Sequence, residues 1–278
     1  MKVGDPGAPA PLFSRHDRLV RFVLVEPSHP GNVGAAARAM AVMGFSRLCL
    51  VAPKVAGAAF HGEARALASG ANHVLVASET VGSFEAAVAE ARLVIGFSAG
   101  GREFAAEPVT PESMAASVLR CLDENADGDG ARAAPVALVF GTERTGLPIA
   151  LAQKCHLLCR IPANPAYSSL NLAQALQVIA YVLRQAINAA PAAALPVPRA
   201  DQAPVRRDDR AATHAQLEGL HAHLESVLIE IGFLDPDKPR RLMPRLRRLF
   251  TRSGLSLKEV DILRGICARI EAVVREKP

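Results

Sequence analysis

Three separated stretches of this 278-residue chain each carry an apolar, β-rich run directly into a turn of Gly, Pro, Asn or Ser and then into helical spacing. The first is Leu24-Val25-Glu26-Pro27-Ser28-His29-Pro30-Gly31-Asn32-Val33-Gly34-Ala35-Ala36-Ala37-Arg38. The second is Val139-Phe140-Gly141-Thr142-Glu143-Arg144-Thr145-Gly146-Leu147, and the third is Ile161-Pro162-Ala163-Asn164-Pro165-Ala166-Tyr167-Ser168-Ser169-Leu170-Asn171-Leu172. β-like runs at residues 21–25, 46–51, 73–77, 92–97, 136–140 and 156–161 alternate with Ala-rich helical stretches such as 35–43 and 84–90. That alternation predicts an α/β fold, a mostly parallel sheet with helices on both faces. Ligands of such sheets sit outside the carboxyl ends of the strands, where all three turns fall.

The rest of the chain is organised around this unit. Residues 1–18 are rich in Pro and Gly and read as a flexible tail with no apolar signal-peptide segment. Residues 123–132 are acidic and Gly-rich, an exposed loop before the fifth strand. A long helix is expected over 170–188, so apolar in its middle that several sides should be buried. Residues 190–212, with Pro191, Pro196, Pro198 and Pro204, have no apolar period and read as a linker. Helical patterns follow at 213–231, closed by Gly232, and at 239–252 and 257–276. The expected division is therefore an α/β unit over 19–189 and a helical extension over 213–278, packed on that unit or on a partner chain.

The charge excess is concentrated in the C-terminal quarter of the chain. Residues 204–278 hold 15 Lys/Arg against 11 Asp/Glu, a net of +4 out of +5 for the whole chain. Such an excess favours a polyanionic partner. Arg241, Arg245, Arg248 and Arg252 recur at helical spacing opposite Leu242, Leu246 and Leu249, with Pro244 placed to start the ordered helix. A solvated face is the ordinary reading of such a helix; contact with RNA phosphates, with Arg245 and Arg248 at its centre, is the sharper one. No run of about 18 apolar residues exists to span a bilayer. The five cysteines lack zinc-site spacing, and His221 and His223 are poorly spaced to share a metal, so reduced thiols in a cytoplasmic protein without a metal are expected.

Within the three turns, Gly31 and Gly34 permit tight turning and close approach of backbone to a ligand, and Gly141 and Gly146 leave amides accessible around Glu143. A serine before the apolar helix, Ser168 or Ser169, is the usual capping choice. The first turn lacks the G-x-G-x-x-G fingerprint, which argues against a nicotinamide-dependent oxidoreductase.

In order and in residues, the three motifs resemble those of the SpoU-type RNA 2'-O-methyltransferases of the SPOUT superfamily, and the likeness spans about residues 19–276. The resemblance implies S-adenosyl-L-methionine as cofactor, a C-terminal trefoil knot in the catalytic unit, a homodimer, and a tRNA substrate methylated on the ribose 2'-hydroxyl of cytidine or uridine at the first position of the anticodon loop. Carried over residue by residue, it places Arg38, Asn32, Glu143, Ser169 and Asn171 in the catalytic set. It places Phe97, Ser98, Ala99, Gly141, Ile161, Ser168, Ser169 and Leu170 around the cofactor, and Arg38 and Tyr167 on RNA. Phe97 stands where relatives carry a small polar residue, which leaves only its backbone to touch the cofactor. Arg38 is assigned to orienting the ribose and steadying the developing oxyanion, because a guanidinium stays protonated and is no base. Two alternatives remain open: a ribose methyltransferase acting elsewhere on tRNA or on rRNA, and a non-catalytic RNA-binding dimer.

Overall fold

The computed structural model describes residues 18–98, 108–124, 136–164, 166–167, 169–190 and 210–276. Seven strands form one sheet: β1 (Val20–Val25), β2 (Arg47–Val51), β3 (Glu79–Val81), β4 (Leu93–Phe97), β5 (Pro108–Val109), β6 (Val136–Phe140) and β7 (Leu157–Cys159). Their order is β3-β2-β1-β6-β4-β7-β5, and every pairing is parallel. The central strands are covered on both faces, which is why VALVF of β6 is buried at every position. Alternate side chains feed two cores. Phe22, Leu24, Leu138 and Phe140 face one, Val23, Val25, Ala137 and Val139 the other.

The first face is thickly covered by α1 (Pro30–Val42), α2 (Gly62–Ala68), α3 (Asn72–Val76), α5 (Pro111–Glu124) and α7 (Leu172–Ala189). The second carries α4 (Phe84–Val88) and α6 (Ile149–Ala152). The expected strand at 73–77 is thus a helix, α3. Its apolar run (HVLVA) is short enough to suit either state, and Val74 and Leu75 are buried side by side as a helix packed near α1. The edge strands β3 and β5 were not foreseen, being three and two residues long. Helix α7 is not buried all round; Leu172, Leu176, Ile179, Ala180, Leu183 and Ile187 make one inward face while Tyr181 is 51% exposed. Of the acidic loop foreseen at 123–132, Asp123 and Glu124 close α5, and the remainder lies outside the described residues.

The extension consists of α8 (His214–Glu230), α9 (Leu242–Ser253) and α10 (Leu257–Arg275). Thr213 and Ser256 cap α8 and α10 with reciprocal side-chain and backbone bonds to Gln216 and Glu259, and Gly232 follows α8 at φ 72°. Pro244 sits in the first turn of α9, where its missing N–H is no loss. The final residues of the expected linker already belong to this fold, since the Ala212 amide donates to the Leu255 carbonyl. The extension docks on the second face, at the amino ends of β4 and β7. There the amides of His214 and Ala215 donate to the carbonyls of Ala91 and Ala89, at 2.7 and 3.1 Å.

Candidate active site

The three turns meet at the carboxyl ends of β1, β6 and β7, and one carboxylate joins the first two. Glu143 accepts hydrogen bonds from the Ser28 amide (3.1 Å), the Ser28 hydroxyl (2.8 Å), the His29 amide (3.3 Å) and the Asn32 side-chain amide (3.1 Å). Helix α1 begins at Pro30 and has no acid in its own first turn. Glu143 supplies that charge from 111 residues away, to amides that the helix leaves unpaired. Burial alone would raise the Glu143 carboxyl, but the bonds from Asn32 and Ser28 together outweigh it and hold it below its ordinary value. Glu143 is therefore an ionised tie between two motifs rather than a solvated turn residue.

Asn32 passes the connection on. Its side-chain oxygen accepts from the Asn171 side-chain amide at 3.1 Å, while the Asn171 oxygen accepts the Ala173 amide at 2.9 Å. Asn171, not Ser168 or Ser169, is the cap of α7, and Gln174 completes the reciprocal pair. One chain of polar contacts thus runs Ser28, Glu143, Asn32, Asn171 and fixes the three turns against each other.

Beside it opens a cleft of about 250 Å³. Phe97, Ser98, Gly141, Ile161, Ser169 and Leu170, expected around the cofactor, all line it, together with Glu143. Ala99 and Ser168 lie outside the described residues. Phe97 is 8% exposed and stacks on Phe140 with ring centroids 4.3 Å apart, so its side chain builds the apolar wall. The hydroxyl residues Ser98, Thr142, Thr145 and Ser169 also line it. Apolar walls with a few convergent polar groups suit a ligand that is part flat ring and part polar chain, as S-adenosylmethionine is. Arg144, exposed at the rim, was not singled out from the sequence, and neither was Ser28. Both occupy unspecified positions of their motifs.

The glycines work differently from the expectation. A Cβ on Gly34 would lie 2.0 Å from the Ala64 carbonyl oxygen, so this glycine admits α2, not a ligand; at Gly31 the near neighbour is the Glu63 side chain. A Cβ on Gly141 would lie 2.1 Å from the backbone of Gly146 and Leu147. The Thr142 and Gly146 amides are not open to a ligand, because each donates to the other's carbonyl at 3.1 and 2.9 Å. Gly141 lets the second turn fold over itself, and that fold forms the cleft wall.

The remaining expected residues lie apart. Arg38 is exposed on α1, does not line the cleft, and makes no hydrogen bond or ion pair with the described residues. It is six residues beyond Asn32, about 9 Å along the helix axis. Tyr167 is exposed in the third turn, its amide donating to the Asn164 carbonyl. Arg241, just before α9, and Arg245, Arg248 and Arg252, on it, are exposed, but the inward face differs from the expected one. Leu249 is 48% exposed; Met243, Phe250 and Arg247 turn inward instead. Arg247 pairs with Glu218 of α8 beside His221. Among the described residues no cluster of three His, Cys, Asp or Glu side chains is placed to hold a metal, and no helix is long and apolar enough to cross a membrane.

A parallel sheet with a cofactor-sized cleft formed by three such turns defines a class, and comparison with known proteins gives its name. Residues 19–181 match the SpoU rRNA Methylase family, and the chain belongs to that family. Residues 215–278 match the C-terminal domain of the tRNA methyltransferase TrmJ. The chain is 42% identical over 256 residues to the tRNA (cytidine/uridine/adenosine-2'-O-)-methyltransferase TrmJ of Pseudomonas aeruginosa (strain UCBPP-PA14), covering 92% of this chain and 95% of that protein. It is 43% identical to the tRNA (cytidine/uridine-2'-O-)-methyltransferase TrmJ of Cronobacter sakazakii (strain ATCC BAA-894), covering 93% and 98%. The crystal structure of TrmJ from Z. mobilis ZM4 superposes with a TM-score of 0.71 at 27% identity, over 90% of this chain and 98% of that one.

Proposed function

We propose that this protein transfers a methyl group from S-adenosylmethionine to the ribose 2'-hydroxyl of a tRNA cytidine or uridine at the first position of the anticodon loop, in the cytoplasm and as a homodimer. The observation that carries this reading is the Glu143–Asn32–Asn171 tie beside the cleft, which joins all three motifs in one geometry. The catalytic unit is residues 19–189, and the extension, 213–278, adds a second contact with RNA.

In the reaction the 2'-oxygen would take the methyl group while the sulfonium departs as a neutral thioether, and the hydroxyl proton would pass to solvent. The cofactor supplies an activated methyl group; the protein supplies alignment. Phe97, Gly141, Ile161 and Leu170 hold the cofactor, with Ser98 and Ser169 as its polar partners. Asn32, Glu143 and Asn171 hold the turns. Arg38, permanently charged, orients the ribose and its phosphate and steadies the oxyanion as the proton departs. Dimer formation is read from α1 and α7. Val42, one turn beyond Arg38, is 66% exposed and Tyr181 is 51% exposed, and Arg184 of α7 donates to the Met43 carbonyl at the end of α1 at 2.7 Å.

The test is methyl transfer from labelled S-adenosylmethionine to tRNA, with ribose methylation mapped by nucleotide in RNA from a deletion strain. Cofactor binding without comparable NAD binding, and a single lost methyl at the first anticodon-loop position, are expected. Arg38→Ala should abolish transfer while cofactor affinity is kept, and Arg38→Lys should also be poor because an ammonium lacks the guanidinium fork. Near-normal turnover in either variant, or a missing methyl elsewhere in the RNA, would defeat the corresponding part of the reading.

A further inference from the structure

The turn after β6 carries a guanidinium to the mouth of the cleft at the carboxyl ends. Residues 142–146 close on themselves: the Thr142 and Gly146 amides donate to each other's carbonyl at 3.1 and 2.9 Å, and the Thr145 amide donates to the Thr142 hydroxyl at 3.2 Å. Gly146 completes the closure at φ 67°, a backbone state that suits glycine. Within this turn Glu143 is held by donors of Ser28, His29 and Asn32. Arg144, the next residue, stands at the centre of the turn on backbone fixed from both sides. It is exposed and lines the cleft. A cation mounted this way has less freedom to lose when it meets a ligand.

The lining of the cleft has an inner and an outer part. Phe140, Cys159 and Leu172 are buried and close it from within, whereas Arg144, Thr145 and Leu170 are exposed and form its outer edge. A small ligand fills the inner part; a macromolecule that reacts with that ligand must come in over the outer edge, where Arg144 stands. The charge that a nucleic acid brings there is its phosphate, and a guanidinium fork matches two phosphate oxygens. We propose that Arg144 binds a phosphate flanking the nucleotide that is methylated. The proposal rests on the reading of the chain as a tRNA methyltransferase. A nucleotide within a chain has a phosphate on each side, so Arg144 and Arg38 can each take one. The Arg144 contact is made to the substrate before and during methyl transfer alike, so it strengthens RNA binding and appears in KM more than in kcat.

Arg144→Ala in the full chain should raise KM for tRNA roughly three- to tenfold, with the salt slope of tRNA binding reduced by about one. Arg144→Lys keeps the charge, so it should restore the slope but only part of the affinity. The decisive measurement uses tRNAs that carry one uncharged methylphosphonate, on the 5' or the 3' side of the methylated nucleotide once that nucleotide is mapped. One of the two should weaken binding to the wild-type protein about as much as Arg144→Ala does, and should cost Arg144→Ala nothing further. Losses that add in full at both positions overturn the proposal, as do a wild-type KM and slope in Arg144→Ala. Calorimetry with S-adenosylmethionine should give the same affinity for Arg144→Ala and wild type. A matching loss there also overturns the proposal, because Arg144 would then serve the carboxylate of the cofactor or the shape of the turn. If the wild-type protein itself neither binds nor methylates tRNA, the functional reading fails first, a result distinct from a wild-type protein that acts on tRNA and an Arg144→Ala that acts equally well.

Discussion

The two ends of the sheet are built on opposite terms. At the carboxyl ends, three turns of Gly, Pro, Asn and Ser are fixed to each other by a partly exposed carboxylate and two asparagines, next to an open cleft. At the amino ends, the extension is held by side chains taken out of water. The His214 ring is packed edge-on to Phe84 and His156, with its Nε2 3.2 Å from the Lys154 carbonyl. His156 accepts the Val94 amide through Nδ1 at 2.8 Å, and Glu218 pairs with Arg247 and His221. The first end uses residue types that announce a special backbone. The second uses ordinary ones whose role comes only from where the chain brings them. The first end should thus fail through backbone geometry and the second through charge, which gives a way to separate them.

The largest effect is expected at Gly141. Its absent Cβ leaves room for the Gly146–Leu147 backbone, which cannot yield as a flexible side chain would. Gly141→Ala should therefore displace the whole second turn. The expected loss is about 2–3 kcal/mol of stability, with methyl transfer down by roughly two orders of magnitude because the cleft wall and Glu143 move together. Calorimetry with S-adenosylmethionine on the folded variant checks this. Normal cofactor affinity would show that the turn is less constrained than its contacts indicate.

The amino end should break with acid. Burial, followed by the neighbouring His214, lowers His156 to about 3. Between that value and the ordinary histidine range near 6.5, the unfolded chain binds a proton that the folded chain refuses. Stability therefore falls as pH drops through this window, by up to about 1.4 kcal/mol per pH unit from this group. His214 is lowered as well, mainly by burial, and adds to the trend. For Glu218, burial pushes the carboxyl up but the bonds from His221 and Arg247 prevail and set it at about 2. That depressed carboxyl gives a further loss as pH falls below the ordinary carboxylate range. His156→Asn keeps an acceptor for the Val94 amide but cannot titrate, so denaturant melts should show a flatter profile between pH 6.5 and 3. Parallel profiles for the variant and wild type would remove His156 as the cause.

This contrast also explains what could be read from the sequence. The α/β alternation was legible because buried parallel strands such as LVIGF and VALVF are unbroken apolar runs. The third run, HVLVA, looks the same by that test, and only its packing near α1 makes it helical. Residues around the cleft at the carboxyl ends were legible as turn chemistry, yet the partner of Gly34 was not, because nothing local to α1 specifies Ala64. The order of the strands, which places β6 between β1 and β4, leaves no mark on periodicity at all. On α9 the arginine period was visible. That Arg247 rather than Leu249 faces inward depends on Glu218, 29 residues earlier.

A smaller effect is expected on cutting that ion pair. Arg247→Met leaves Glu218 half-buried beside His221 without its cation, while both side chains keep about a fifth of their surface in water, 21% and 23%. Solvent screening limits the loss to about 1–2 kcal/mol. Helix α9 has Met243 as its one fully buried side chain, so the loosening should concentrate there. Hydrogen exchange should quicken along α9 and leave the sheet unchanged, and the double variant Glu218→Gln/Arg247→Met should recover part of the protection. Uniform exchange across the molecule would mean the extension and the catalytic unit open as one body.

The smallest effect separates a solvated arginine face from one that meets RNA. Arg245 and Arg248 are exposed on α9, so removing their charges should leave the fold intact. If they contact phosphates, each also releases counterions when RNA binds, and its loss should weaken binding about equally for every tRNA sequence. For Arg245→Ala/Arg248→Ala, the salt slope should fall by about two, with affinity reduced most at low salt and converging on wild type as salt rises. A merely solvated face predicts coincident lines at every salt concentration.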